Sequence, residues 1–185
     1  MVKKTFFLLI FLTSFLAINQ LTNAQIKKNK DKCSIRKINK AVAVINPTQG
    51  NKVHGLVTFT KVKNGIKVVA DIEGLTQGKH GFHIHQYGDC SDSKGKSAGG
   101  HFNPDGVKHA GHDSAIRHVG DFGNLIADKD GKAHIEFIDN LISFYGPNNI
   151  IGRGIIIHGG ADDFKSQPSG NAGPRVACGA IALSK

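Results

Sequence analysis

The sequence predicts an all-β fold: a β-sandwich or flattened barrel of about eight short strands, interrupted by two long functional loops. Three observations lead there. From residue 41 onward, short runs of alternating apolar and polar residues are punctuated by turn signals. Glycine is frequent, at 23 of 185 residues, as a turn-rich chain requires. No convincing helical period interrupts the strands. The length suits one domain with its own core, and 39% apolar against 21% charged residues excludes a disordered chain.

The first 24 residues stand apart from that fold. Lys3 and Lys4 precede an apolar run from Phe6 to Ile18, and Thr22 and Ala24 sit just before a cleavage point at Gln25. Residues 1–24 therefore read as a secretory signal peptide, too short for a comfortable membrane span. The expected location is outside the cytoplasm: periplasmic in a Gram-negative bacterium, otherwise secreted, where disulfides persist. Residues 25–40 form a basic tail, with seven Lys and Arg against Asp31. Residues 41–185 carry 15 basic and 13 acidic side chains, so most of the formal charge of +10 belongs to the leader and the tail. No nucleic-acid partner is expected. The tail is either a solvated terminus or a weak tether to an anionic surface.

The strands follow in order. Ala41–Asn46 opens the pattern, then Val53–Thr60 and Gly65–Glu73 form a hairpin through Asn64-Gly65. In the third strand Ile66, Val68, Ala70 and Ile72 alternate with more polar positions, as a half-buried strand requires. His80–His85, Asn124–Ala127, Lys132–Ile138, Gly154–His158 and Val176–Ala182 complete the set, with Asp130-Gly131 marking a second tight turn. Residues 86–118 and 159–175 resist strand assignment, and loops of that length are functional or disordered.

Those loops and their flanks hold the unusual chemistry. His83 and His85 are two apart on one strand, so both rings point to one face. His101, His109, His112 and His118 follow in the first loop, then Asp121. Imidazoles spaced along a loop suit zinc or copper, and three beside one carboxylate make an ordinary zinc environment. His158 closes the apolar run IIIH, as a metal ligand or a structural residue. His54 and His134 read as surface residues, and His80 as packing or support. Cys33, Cys90 and Cys178 cannot all pair within one chain, and Cys33 in the tail is the odd one.

The segments GFHIHQYGDC, SAGGHFNPDGVKHAGHDS, RHVGDFGNLIADKDG, IIGRGIIIHGGADDF and GNAGPRVACGAI together resemble the copper/zinc superoxide dismutase family. The resemblance spans nearly all of residues 41–185 in order and spacing. It implies a Greek-key barrel that dismutates superoxide, 2 O2•− + 2 H+ → O2 + H2O2. The implied route is alternate reduction and oxidation of a copper ion joined through a histidine to zinc, protecting against superoxide outside the cytoplasm. Copper is then expected at His83, His85, His101 and His158, and zinc at His101, His109, His118 and Asp121, one ion of each per subunit. His101 matches the bridging ligand and proton carrier. Asp162 matches a carboxylate joining a copper-ligand to a zinc-ligand histidine, Arg175 the cation that docks the anion, and Cys90–Cys178 the intrasubunit disulfide.

Departures from the family pattern accompany the match. Cys90 stands five residues after His85, as in exported bacterial members, whereas RHVGDFGNLIADKDG and NNIIGR look eukaryotic. His112 takes a position where the family commonly has proline, as a surface residue or an auxiliary metal contact. Gly160 stands where some members carry a steering lysine, which points to Lys165 instead. The IIGR match implies a homodimer through Tyr87–Asp89, Ile151–Arg153 and the last strand. A non-catalytic metal module would be expected to lack a copper ligand or the docking arginine, and a zinc hydrolase would need an open coordination position. This sequence keeps the full set.

Overall fold

In the computed structural model, which describes residues 37–185, alternation sets the strands as expected. The signal segment and residues 25–36 of the tail lie outside the described residues. Eight strands form: β1 (Lys40–Pro47), β2 (His54–Val62), β3 (Gly65–Glu73), β4 (Gly78–His85), β5 (Asp121–Ala127), β6 (Ala133–Asp139), β7 (Gly154–His158) and β8 (Arg175–Leu183). In β3, Ile66, Val68, Ala70 and Ile72 are buried while Asp71 and Glu73 face solvent. Ile38, just ahead of β1, already packs on the core.

Every pairing is antiparallel, in the order β5-β4-β7-β8-β1-β2-β3-β6. β5 and β6 are consecutive in the chain yet lie at opposite ends of that order, so the sheet curls until its two edges face each other as a nearly closed barrel. A tight turn joins them: the Asp128 N–H donates to Lys132 O at 2.9 Å. Gly131 sits there at φ +75°, and a Cβ would stand 2.4 Å from Leu75 O, so only glycine fits. β7 lies beside β4 rather than β6, which is the Greek-key crossing.

The core fills the barrel interior with Phe59, Phe82, Ile84, Leu125, Ile155, Ile157 and Ile181, all essentially inaccessible. β4 decides where the chemistry sits. Phe82 and Ile84 point into the core, so His83 and His85 point outward. They are nevertheless buried, because the β4–β5 connection (residues 86–120) and the β7–β8 connection (residues 159–174) hydrogen-bond over them.

Two details differ from the sequence reading. β5 starts at Asp121, three residues early, because its ladder to β4 continues past a register shift to pair His83 with Asp121. The first loop also contains one 3-10 turn, Lys96–Ala98, after Gly95 in the left-handed conformation.

Candidate metal centre

Four histidines come together on the outer face of β4. His83 and His85 leave from β4, His158 ends β7, and His101 reaches in from the first loop through an isolated bridge to His85. All four are buried, and one nitrogen of each lies within 4.8 Å of the others. The other nitrogens are committed to the protein. His83 Nε2 meets Asp162 Oδ2 at 2.7 Å, His85 Nδ1 meets Gly99 O at 2.9 Å, and His158 Nδ1 meets Gly173 O at 3.1 Å. What remains is His83 Nδ1, His85 Nε2, His101 Nε2 and His158 Nε2, each buried and without a hydrogen-bond partner. Four orphaned imidazole nitrogens aimed at one point are costly unless a cation binds them.

His101, His109, His118 and Asp121 form a second group, also within 4.8 Å and also buried. Asp121 Oδ1 lies 2.8 Å from His101 Nδ1, 3.0 Å from His109 Nδ1 and 3.3 Å from His118 Nδ1. Its Oδ2 accepts the N–H groups of Ala110 and His118. Three imidazoles and one carboxylate are a closed, zinc-type donor set. His101 belongs to both groups, Nδ1 toward the second and Nε2 toward the first. Asp162 ties them a second time, through Oδ2 to His83 and Oδ1 to His109 Nε2 at 2.9 Å. Gly120 lets the loop cross β4: its carbonyl accepts from Ile84 N–H at 2.9 Å, and a Cβ there would stand 2.2 Å from Ile84 O.

The two groups differ electrostatically. Burial pushes His83 down to about 3 and His158 to about 4, and lowers His85 and His101 as well, so these rings stay neutral with lone pairs available. Burial opposes charge on His109 too, but hydrogen bonds to Asp121 and Asp162 outweigh it and raise that ring to about 9. Both carboxyls are held well below the usual range; burial resists this, and the surrounding histidines overcome it.

Residues 53–181 match the sequence profile of the copper/zinc superoxide dismutase (SODC) family. The chain belongs to the copper/zinc superoxide dismutase family. It is 46% identical over 154 residues to a superoxide dismutase [Cu-Zn] of Onchocerca volvulus, covering 77% of this chain and 95% of that one. It is 43% identical over 160 residues to an extracellular superoxide dismutase [Cu-Zn] of Brugia pahangi, covering 82% and 79%. Its fold matches the crystal structure of the clock protein EA4 with a TM-score of 0.75 at 39% identity, covering 82% of this chain and 98% of that one. This dismutase is thus an oxidoreductase of a family whose metals are copper and zinc and whose substrate is superoxide. The two donor sets described above fit those metals.

Every site residue expected from the dismutase sequence enters this cluster or its border. Arg175 opens β8 opposite His158 and donates Nη1 to Gly95 O and Nη2 to Gly99 O, both at 2.6 Å. Cys90 and Cys178 form the disulfide, with Cα atoms 5.8 Å apart, and pin the first loop to β8. His80 supports from beneath, bonding His158 O through Nδ1 and Thr76 O through Nε2. His112 joins neither donor set; its Nε2 lies 3.4 Å from Asp139 Oδ2 and its ring packs edge-on against Phe137. His54 and His134 are exposed. Two supports gave no sequence signal. Gln167 brackets the His109 backbone, accepting its N–H at 2.8 Å and donating to its carbonyl at 2.9 Å. Buried Arg117 pairs with buried Asp139 at 2.6 Å while donating to the carbonyls of His112, His118 and Val119.

Proposed function

We propose that this dismutase holds one copper ion at His83, His85, His101 and His158 and one zinc ion at His101, His109, His118 and Asp121, and dismutates superoxide there. The observation that carries the reading is His101, whose two ring nitrogens face the two donor sets. Copper, when bound, supplies the one-electron oxidation and reduction of superoxide, and zinc a fixed charge without redox chemistry. His101 takes up a proton at Nε2 and returns it to the departing peroxide, acting as a general acid. The Nδ1 contacts on the Asp121 side keep the ring in place while that happens. Asp162 fixes the ring orientation of His83 and His109 together. Arg175, with its guanidinium held by the Gly95 and Gly99 carbonyls, docks the anion beside His85 and His158.

Signal removal before Gln25, export and protection against superoxide outside the cytoplasm belong to the same reading. The disulfide and the likeness to an extracellular relative support it. Residues 25–40 serve as a basic tail, either a solvated terminus or a weak tether to an anionic surface, ahead of a catalytic domain at 41–185; its last residues, from Ile38, already join the barrel. Two copies associate through Tyr87–Asp89, Ile151–Arg153 and β8, where Tyr87 and Leu183 expose apolar surface. The test is metal analysis of the exported protein with superoxide dismutation assayed before and after copper removal. Activity that disappears with copper, returns on its readdition and is lost in His101→Ala with the strand signature intact is the expected result. Full activity in the copper-free protein or in His101→Ala refutes the assignment.

A further inference from the structure

Both chain neighbours of His101 are held, and the two holds meet at one side chain. Gly100, before it, is held by Gln86: the Gln86 N–H donates to Gly100 O at 2.9 Å, and Gln86 Oε1 accepts the Gly100 N–H at 3.1 Å. Phe102, after it, donates its N–H to Ile84 O at 2.8 Å and is buried. Arg153 touches both Gln86 and Phe102. Its Cζ lies 3.5 Å from the centroid of the Phe102 ring, and its Nη1 donates to Gln86 O at 2.9 Å.

Arg153 is itself anchored outside the first loop. Its Nε donates to Asn149 O at 2.8 Å, its N–H donates to Ile150 O at 3.1 Å, and its carbonyl accepts the Ile181 N–H of β8 at 2.8 Å. The guanidinium is given to two carbonyls and an aromatic face, and among the described residues no carboxylate pairs with it. A planar fork can bond sideways to two carbonyls while its face lies on a ring; a compact ammonium cannot do both.

His101 needs such a frame more than its partners do. His83, His85 and His158 leave from strands, whereas His101 lies in the first loop and meets β4 in an isolated bridge to His85. Its ring presents Nδ1 to one donor set and Nε2 to the other, so a rotation that favours one set spoils the other. Neither Phe102 nor Arg153 belongs to a donor set. We infer that Arg153 is a positioning residue for His101: its guanidinium, stacked on Phe102 and bonded to Gln86, fixes the backbone of residues 100–102 so that one ring serves both donor sets. The inference rests on the two-metal reading above.

The test compares Arg153→Gln, Arg153→Lys and Phe102→Leu with Ile66→Val, a core truncation in β3. Each protein is loaded with copper(II) and with cobalt(II) in place of zinc. Two paramagnetic ions sharing one imidazole ring couple magnetically, so the wild-type copper(II) resonance is strongly attenuated. Copper affinity, by competition with a chelator, and kcat/KM of the copper- and zinc-loaded form are read alongside. The three variants should recover an uncoupled copper signal and lose about tenfold in copper affinity and in kcat/KM, while Ile66→Val behaves as wild type. Wild-type coupling, affinity and rate in Arg153→Gln and Phe102→Leu overturn the inference even if both lower Tm, since that is a merely structural role. Full rescue by Arg153→Lys overturns it too, because the planar fork is then dispensable. Should Arg153→Gln fail to fold, Arg153→Lys and Phe102→Leu decide alone, and wild-type coupling in either refutes the role. Wild-type protein that holds both ions without coupling refutes the shared His101 ring itself, a distinguishable result that takes the two-metal reading with it.

Discussion

Single residues set the proton chemistry of the two donor sets, and they set it oppositely. His109 is charged at neutral pH because Asp121 and Asp162 face its two nitrogens. Its raised value, about 9 against 6.5, gives the metal-free fold a contribution that is full below 6.5 and vanishes as pH rises through about 9. A metal on Nδ1 must displace that proton. Zinc affinity of the metal-free protein should therefore rise about tenfold per pH unit toward pH 9, with about one proton released per zinc near pH 7. Calorimetric zinc titrations in buffers of different ionisation heat measure it; zinc binding without proton release contradicts the His109 assignment. His83 and His158, at about 3 and 4, present no such competitor above pH 4, so on acidification zinc should leave before copper. Asp162→Ala cuts the tie between His83 and His109 without removing a ligand, and a loss of about 10- to 100-fold in zinc affinity is expected from competition with a chelator. Unchanged affinity would show that the loops alone orient the rings. The proposed ligands were legible in the sequence because HxH on a strand and the family spacing mark them. Gln167 and the Gly99 and Gly173 carbonyls were not, because a backbone acceptor or a loop glutamine has no pattern to betray it.

At the scale of elements, the first loop carries three of the four zinc-type donors, and a buried ion pair holds it together with the disulfide and the core side chains Phe102 and Val119. Arg117 and Asp139 are buried at 5% and 1% exposure, joining the loop to the end of β6. Asp139 also accepts the Leu141 and Ile142 N–H groups, and Arg117 donates to three carbonyls. Breaking the pair with Asp139→Ala leaves a buried guanidinium and should cost about 3–5 kcal/mol in denaturant unfolding of the metal-free protein. Arg117→Met/Asp139→Leu should recover only part of that, because the carbonyls and N–H groups lose their partners as well. Full recovery would mean that those backbone bonds contribute nothing. The strands around this loop were legible where alternation is clean and a turn dipeptide marks the end, as in β2 and β3 through Asn64-Gly65. The start of β5 was not, because Asp121 and Phe122 break alternation: both are buried, one against the metal-type donors and one in the core. The Arg117–Asp139 pair was equally hidden, since a charge beside a histidine in a loop reads as solvated until the fold brings its partner.

Across the whole molecule the interior and the chemistry are separated. The core cluster, from Phe59 and Val68 through Ile155 and Ile181, contains none of the metal-type donors, which sit on the outer face of β4 beneath residues 86–120 and 159–174. The barrel therefore has its own hydrophobic driving force, whereas the first connection carries three donors and the second reaches them through Asp162 and the Gly173 carbonyl, so metal binding is expected to order these two connections most. A metal binding only the folded state at about 1,000 times its Kd adds about 4 kcal/mol. For a chain of this size each kcal/mol moves Tm by about 2–4 °C, so stripping one metal should lower Tm by about 8–16 °C. The separation predicts where that loss appears. Amide exchange in the metal-free protein should quicken in residues 86–120 and 159–174 while β1, β2, β3 and β6 keep their protection, and the strand signal in circular dichroism should persist. Exchange that quickens equally in β2 and β3 would mean that the metals hold the barrel itself, and that the core described here is insufficient without them.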